Sequence, residues 1–173
     1  MPRLVFSTGD PREVAGALSG LVNANLAVLQ DGYRPDVERL KRLRYVEDPA
    51  GEDEWVTIQK LIERGAGDCE DLAAAWTACL LSRGVGASMW VAVLKPYKRR
   101  YHGYLRVQGR AGNVAGPGRL FDPSVVGGMR PLPMVYYAPA NGRIVASGGD
   151  CDVVVNTAGH HGIERRRGVA VAI

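Results

Sequence analysis

Gly65-Ala66-Gly67-Asp68-Cys69-Glu70-Asp71-Leu72 decides how the rest of this chain is read. The glycines stop one helical pattern and an aspartate opens another. Asp68 is a typical N-cap residue, and Asp71 stands three places later in a capping-box arrangement. Cys69 is thereby the first helical residue. At that position unpaired N–H groups and the positive end of the helix dipole favour an anion, which lowers the pKa of a thiol. The same N–H groups suit an oxyanion, and the glycines leave the approach to the sulfur open. Asp68, Glu70 and Asp71 work in the opposite sense unless they point away or a nearby imidazole offsets them. Cys69, Leu72, Ala73, Trp76 and Leu80 also share one helical face, so simple packing is the alternative role for this cysteine.

Upstream of this stretch the pattern is helical. Asp10 and Pro11 open a helix that Val14, Leu18, Leu21, Val22 and Leu29 carry to Gln30. A more polar helix is expected over Pro35 to Val46, then an acidic linker from Glu47 to Glu54, then a helix over Trp55 to Arg64. The Cys69 helix runs on through Leu72 to Ser82 and closes at Gly84. Beyond it the period changes to that of strands: Met89 to Leu94, Tyr101 to Val107, and Arg119 to Asp122 ended by Pro123. A glycine-rich connection spans Gly109 to Gly118. Met134 to Tyr137 and Arg143 to Ala146 flank Asn141-Gly142, a strong hairpin signal, and Asp152 to Val155 and Val169 to Ile173 are further strands. Helices first and an antiparallel sheet afterwards make an α+β chain.

Two residues give Cys69 possible partners. In Tyr101-His102-Gly103-Tyr104-Leu105-Arg106-Val107 the alternation puts His102, Tyr104 and Arg106 on one face. Asp122 closes the next strand-like segment, and if the two segments pair it can orient the second ring nitrogen of His102. Cysteine, histidine and aspartate then follow in the order nucleophile, base and orienting carboxylate.

With GAGDCEDLA around Cys69, YHGYLRV around His102 and LFDPS around Asp122, the chain resembles the transglutaminase-like cysteine peptidase superfamily, which is related to the papain-like fold. The motifs lie 33 and 20 residues apart. The resemblance implies a nucleophile-bearing helix packed on an antiparallel sheet. It assigns nucleophile to Cys69, general base to His102 and orienting carboxylate to Asp122, with oxyanion or support roles for Gln59, Trp55 or Asp68. It also implies cleavage or transfer at peptide or side-chain amide bonds, through an acyl-enzyme and without a cofactor. It divides the chain into an N-terminal helical segment (1–54), a catalytic core (55–126) and a C-terminal β extension (127–173) within one compact domain. Cores of this GDCED type also occur among bacteriophage structural proteins, and the Arg- and Gly-rich composition suits such a source. The alternative expectation is therefore a virion or assembly component, docking to other subunits through its C-terminal strands.

Composition bounds these readings. The chain has 173 residues, 46% hydrophobic and 23% charged, enough for one domain with a real core and unlike a disordered chain. No apolar run approaches the roughly 18–20 residues of a membrane helix. The first residues lack a signal-peptide pattern, so a cytoplasmic location is expected, in a host cell or virion if phage-encoded. Three cysteines without a CxxC pair argue against a disulfide framework and a structural zinc site. A metal set of Cys69, His102 and Asp122 with Cys151 or His160 lacks short-spaced ligand pairs. Cys69 and Cys79 would lie about 15 Å apart along one helix, too far for a disulfide. His160-His161 reads as an exposed loop. A net charge of +4 is mild. The clusters Lys98-Arg99-Arg100 and Arg165-Arg166-Arg167 read as solvated turns, with a docking patch as the alternative. Neither zinc-finger spacing nor an aromatic platform accompanies them, which argues against nucleic acid.

Overall fold

Among the described residues most of the helix lies before residue 82 and most of the strand after it. The computed structural model describes residues 11–49, 54–94, 101–110, 119–130, 135–137, 143–147, 151–156 and 163–164. Helix α1 (Pro11–Gln30) buries Leu18, Leu21, Val22 and Leu29 along one stripe and ends at Gly32, whose φ of +102° suits glycine. The expected second helix is much shorter than Pro35 to Val46. Asp36 caps α2 (Val37–Lys41) by accepting from the Glu38 N–H at 3.0 Å, and the chain then leaves the helix. The reason is a non-local pairing. Strand β1 (Arg44–Tyr45) runs parallel to a segment more than twenty residues later in the chain, with Arg44 N–H on the Gly65 carbonyl (3.1 Å) and Val46 N–H on that of Gly67 (2.9 Å).

Helix α3 (Ile58–Arg64) begins after Trp55, not at it. Its N-cap Thr57 makes no side-chain cap bond; Asn25 of α1 does that work, accepting the Ile58 N–H on its side-chain oxygen at 2.7 Å. Gly65 ends α3 in the left-handed conformation, and β2 (Ala66–Gly67), the partner of β1, leads into α4 (Cys69–Leu81). Asp68 caps α4 as read, accepting from the Asp71 N–H at 3.2 Å. The reciprocal half of the capping box is absent, because the Asp71 carboxylate instead takes the Val56 N–H at 2.9 Å. At the other end Ser82 is the C-cap, with Gly84 (φ +72°) two residues later in the turn.

The strands are β3 (Val85–Leu94), β4 (Tyr101–Arg110), β5 (Arg119–Phe121), β6 (Val135–Tyr137), β7 (Arg143–Ser147), β8 (Cys151–Asn156) and β9 (Ile163–Glu164). A short helix, α5 (Pro123–Val126), follows β5. The sheet order is β6-β7-β5-β4-β3-β8-β9, each neighbouring pair antiparallel. Helices and strands together form an α+β chain. The parallel β1–β2 pair is a departure from the purely antiparallel reading.

Helix α4 is central. It packs on α1 and on β3 and β4, and its run of Leu72, Ala73, Ala74, Ala75 and Ala78 is buried at 1% exposure or less. Small side chains let neighbouring elements come close while the helix keeps good propensity. Trp76 meets Phe121 of β5 edge to face at 5.5 Å. Among the described residues no helix is long and apolar enough to cross a membrane. The Asp10 cap, most of the Gly109–Gly118 connection, the Asn141-Gly142 turn, His160-His161, both basic clusters and the Val169–Ile173 segment lie outside the described residues.

Candidate active site

Asp122 reaches the site through a local device that the strand reading missed. It is the N-cap of α5, with Pro123 next and its Oδ1 accepting the Ser124 N–H at 3.0 Å. Proline just inside a helix start and aspartate at the cap form a familiar pair. The cap fixes the carboxylate and leaves Oδ2 for another partner. That partner is His102, whose Nε2 lies 2.7 Å from Oδ2. The contact follows from register: β4 and β5 pair with Leu105 opposite Phe121, which brings the end of β5 alongside the start of β4. Both side chains are buried, His102 at 4% and Asp122 at 0% exposure. A carboxylate oxygen accepts, so Nε2 carries the hydrogen, and Nδ1 is the ring nitrogen with a lone pair that can take a proton in a reaction.

Cys69 opens α4 as expected and is 7% exposed. The strand bearing His102 is pressed against it. A Cβ on Gly103, the residue after His102, would stand 3.2 Å from the Cys69 carbonyl oxygen and 3.0 Å from the Met89 Cε. Only glycine lets β4 come so near, and the Gly103 backbone N–H is close enough to the Cys69 sulfur to favour its thiolate form. His102 and Asp122 are thus directly bonded to each other, and one step of β4 links them to Cys69.

The ionisation expected from the helix end is overturned. Burial, first, and then the Glu70 and Asp68 charges push the Cys69 thiol well above its ordinary range. The resting sulfur is a protonated thiol, and it donates to the Glu70 Oε2 at 2.6 Å. The Gly103 N–H works the other way, favouring thiolate, and is the weaker influence. Dipole and N–H groups are local; desolvation is not, and here it wins.

The support residues fare differently from one another. Asp68 is buried and holds the helix start. Trp55 precedes α3 and packs, partly buried, on the core. Gln59 is exposed on α3, where its side-chain amide donates to Glu63 at 3.3 Å, so its amide is engaged at the surface. A residue unnoticed in the sequence also lies near this stretch. Tyr45 of β1 is paired with Gly67, and its phenol is within electrostatic reach of Cys69, Glu47, Asp68 and Glu70. Nothing near position 45 announces this, because the β1–β2 pairing alone brings it there.

No protein-family model matches the chain, and no curated protein matches it. Three solved structures are similar in layout. One is a candidate cysteine protease from Cytophaga hutchinsonii, at 13% identity and a TM-score of 0.37, covering 75% of this chain and 40% of that one. The other two are of Legionella pneumophila LapG. The first has 20% identity and a TM-score of 0.36, covering 63% of this chain and 72% of that one. The second, EGTA-treated, has 17% identity and a TM-score of 0.39, covering 87% and 89%. This chain therefore spans two fifths of the Cytophaga protein's length. At such identities and TM-scores the likeness is one of loose layout, and the chemistry is carried by the residues described above.

Proposed function

We propose that the chain is a cysteine-dependent hydrolase or acyltransferase acting on peptide or side-chain amide bonds, with Cys69 as nucleophile, His102 as base and Asp122 as the carboxylate that orients it. One observation carries the reading: His102, in a buried 2.7 Å pair with Asp122, lies on a strand whose next residue, Gly103, is packed on Cys69 at a helix start. A buried imidazole–carboxylate pair beside a thiol is costly as mere packing and suits proton transfer.

In the reaction His102 takes the thiol proton on Nδ1. The sulfur pair forms a bond to the amide carbon, and the carbonyl electrons move to oxygen. When they return, the C–N bond breaks and the nitrogen leaves with the proton from His102. A thioester remains on Cys69. Water, deprotonated by the same imidazole, adds to the acyl carbon and expels the thiolate; an amine in place of water gives transamidation. Cys69, His102 and Asp122 all fall in the core at 55–126, with 1–54 and 127–173 as flanking segments of the same domain.

Selective alkylation of Cys69 by iodoacetamide, lost in His102→Ala, and loss of peptide-library turnover in Cys69→Ala are the expected results. Full turnover in Cys69→Ala would overturn the assignment. The second reading is a structural module that keeps the fold, favoured by the buried, protonated thiol held by Glu70. It expects a Cys69 inert to iodoacetamide up to pH 9. The virion form of it rests on the sequence resemblance alone.

A further inference from the structure

Strand β1 is held on both edges by the two segments that carry the site. On one side Arg44 and Val46 donate their N–H groups to the Gly65 and Gly67 carbonyls of the loop leading to Cys69 (3.1 and 2.9 Å). On the other the Tyr45 N–H donates to the Gly127 carbonyl at 2.9 Å, just past the helix that Asp122 caps. Gly127 is seated so closely that a Cβ there would stand 2.8 Å from the Tyr45 nitrogen. Residues paired across two strands project to the same side, so the direction of the Tyr45 side chain can be read from its partner. A Cβ built on Gly67 would stand 2.5 Å from the Leu61 Cδ1 and 3.1 Å from the Cβ and Oδ2 of Asp71 in the first α4 turn. The Tyr45 side chain therefore lies on the Leu61 and Asp71 side of the pair, half-buried, packed on the core and within electrostatic reach of Cys69.

We propose that the Tyr45 hydroxyl is the oxyanion donor of the Cys69 site, held there because β1 is clamped between the nucleophile loop and the segment after Asp122. This deepens the cysteine-hydrolase reading and rests on it. When the sulfur bonds to the carbonyl carbon and the carbonyl pair moves to oxygen, the phenol O–H donates to that oxygen and keeps its own proton. A phenol fits the task. Burial and the surrounding acidic groups push its pKa up, so it stays a neutral donor throughout the accessible pH range. The need is also clear, since Glu70 and Asp68 would repel an unassisted oxygen anion beside Cys69.

The test uses a peptide aldehyde, whose carbonyl takes the Cys69 thiol across its C=O bond to give a hemithioacetal, with turnover of a fluorogenic peptide library read in parallel. Tyr45→Phe keeps the ring and removes only the oxygen. It is expected to weaken aldehyde binding and lower kcat by on the order of 10²-fold, while KM and the rate of Cys69 alkylation by iodoacetamide stay as in the wild type. Equal aldehyde affinity and equal kcat in Tyr45→Phe would overturn the assignment of Tyr45 alone. An alkylation rate that falls in step with kcat would overturn it too, by placing the hydroxyl on the sulfur. Failure of the wild type to form the hemithioacetal, or its undiminished formation by Cys69→Ala, would instead overturn the cysteine-hydrolase reading underneath.

Discussion

Cys69 is held by opposing influences whose sum is legible only in three dimensions. The capping pattern of Asp68, the alternation that selects His102 and the Asp-Pro step at Asp122 are short-range signals, so all three positions could be singled out from sequence. The state of the thiol could not, because burial and the approach of Glu70 dominate it. Replacing Glu70 by Gln removes a carboxylate 2.6 Å from the sulfur, which lowers the thiol pKa. Alkylation of Cys69 at pH 7 is expected to quicken several-fold, measured by mass spectrometry over time. Asp122→Asn tests the other end of the relay. Its oxygen still caps α5, so thermal stability stays near that of the wild type. Its NH₂ group faces Nε2 and forces the hydrogen onto Nδ1, which then cannot accept the Cys69 proton. A fall in kcat of about 10²- to 10⁴-fold is expected, and an unchanged kcat would remove Asp122 from the mechanism.

At the scale of elements, the sequence shows its structure where a signal repeats and hides it where partners are distant. Helix α1 matches its expected bounds because the apolar stripe runs its full length. Helix α2 stops early because Arg44 and Tyr45 find a strand partner beyond position 65, a competition no local propensity records. Helix α5 hides behind a strand end, because Asp122 and Pro123 both stop β5 and open the helix. Gly127 joins these elements, with the Tyr45 nitrogen, the Leu43 oxygen and the Arg44 carbon all within 3.3 Å of where its Cβ would be. These are backbone atoms and cannot swing aside. Gly127→Ala is expected to cost about 1–3 kcal/mol by urea unfolding, as overpacking does, and to lower activity further by shifting β1. A wild-type midpoint in this variant would show that β1 and α5 are not clamped together.

Across the molecule the α+β character was legible from the order of its segments, whereas the strand order was not, because β8 returns to pair with β3 after β4 to β7 have been laid down on the other side. The charge placed inside was not legible either. Asp71 is 2% exposed, and burial, followed by the Asp68 charge, pushes it up to about 8 from an ordinary 3.8. Between those values the folded chain keeps a proton that the unfolded chain releases, so stability falls as pH rises through the window. The slope from this group is at most ~1.4 kcal/mol per pH unit. Melting temperature is expected to drop from pH 5 to pH 8 and level off above. Asp71→Asn, which keeps an acceptor for the Val56 N–H, should flatten the profile and melt higher than the wild type at pH 8. A parallel decline in both proteins would locate the titrating group elsewhere.

The bond from the Ile58 N–H to Asn25 joins parts of the chain 33 residues apart. The amide that starts α3 is sealed by a side chain of α1, so its exchange with deuterated solvent reports the docking of α1 and not only the fraying of α3. α1 cannot lift away without uncapping the helix whose far end feeds the Cys69 loop. Opening of the N-terminal helix and exposure of the nucleophile loop are thereby expected to be coupled, with exchange of the Ile58 amide as the measurable gauge.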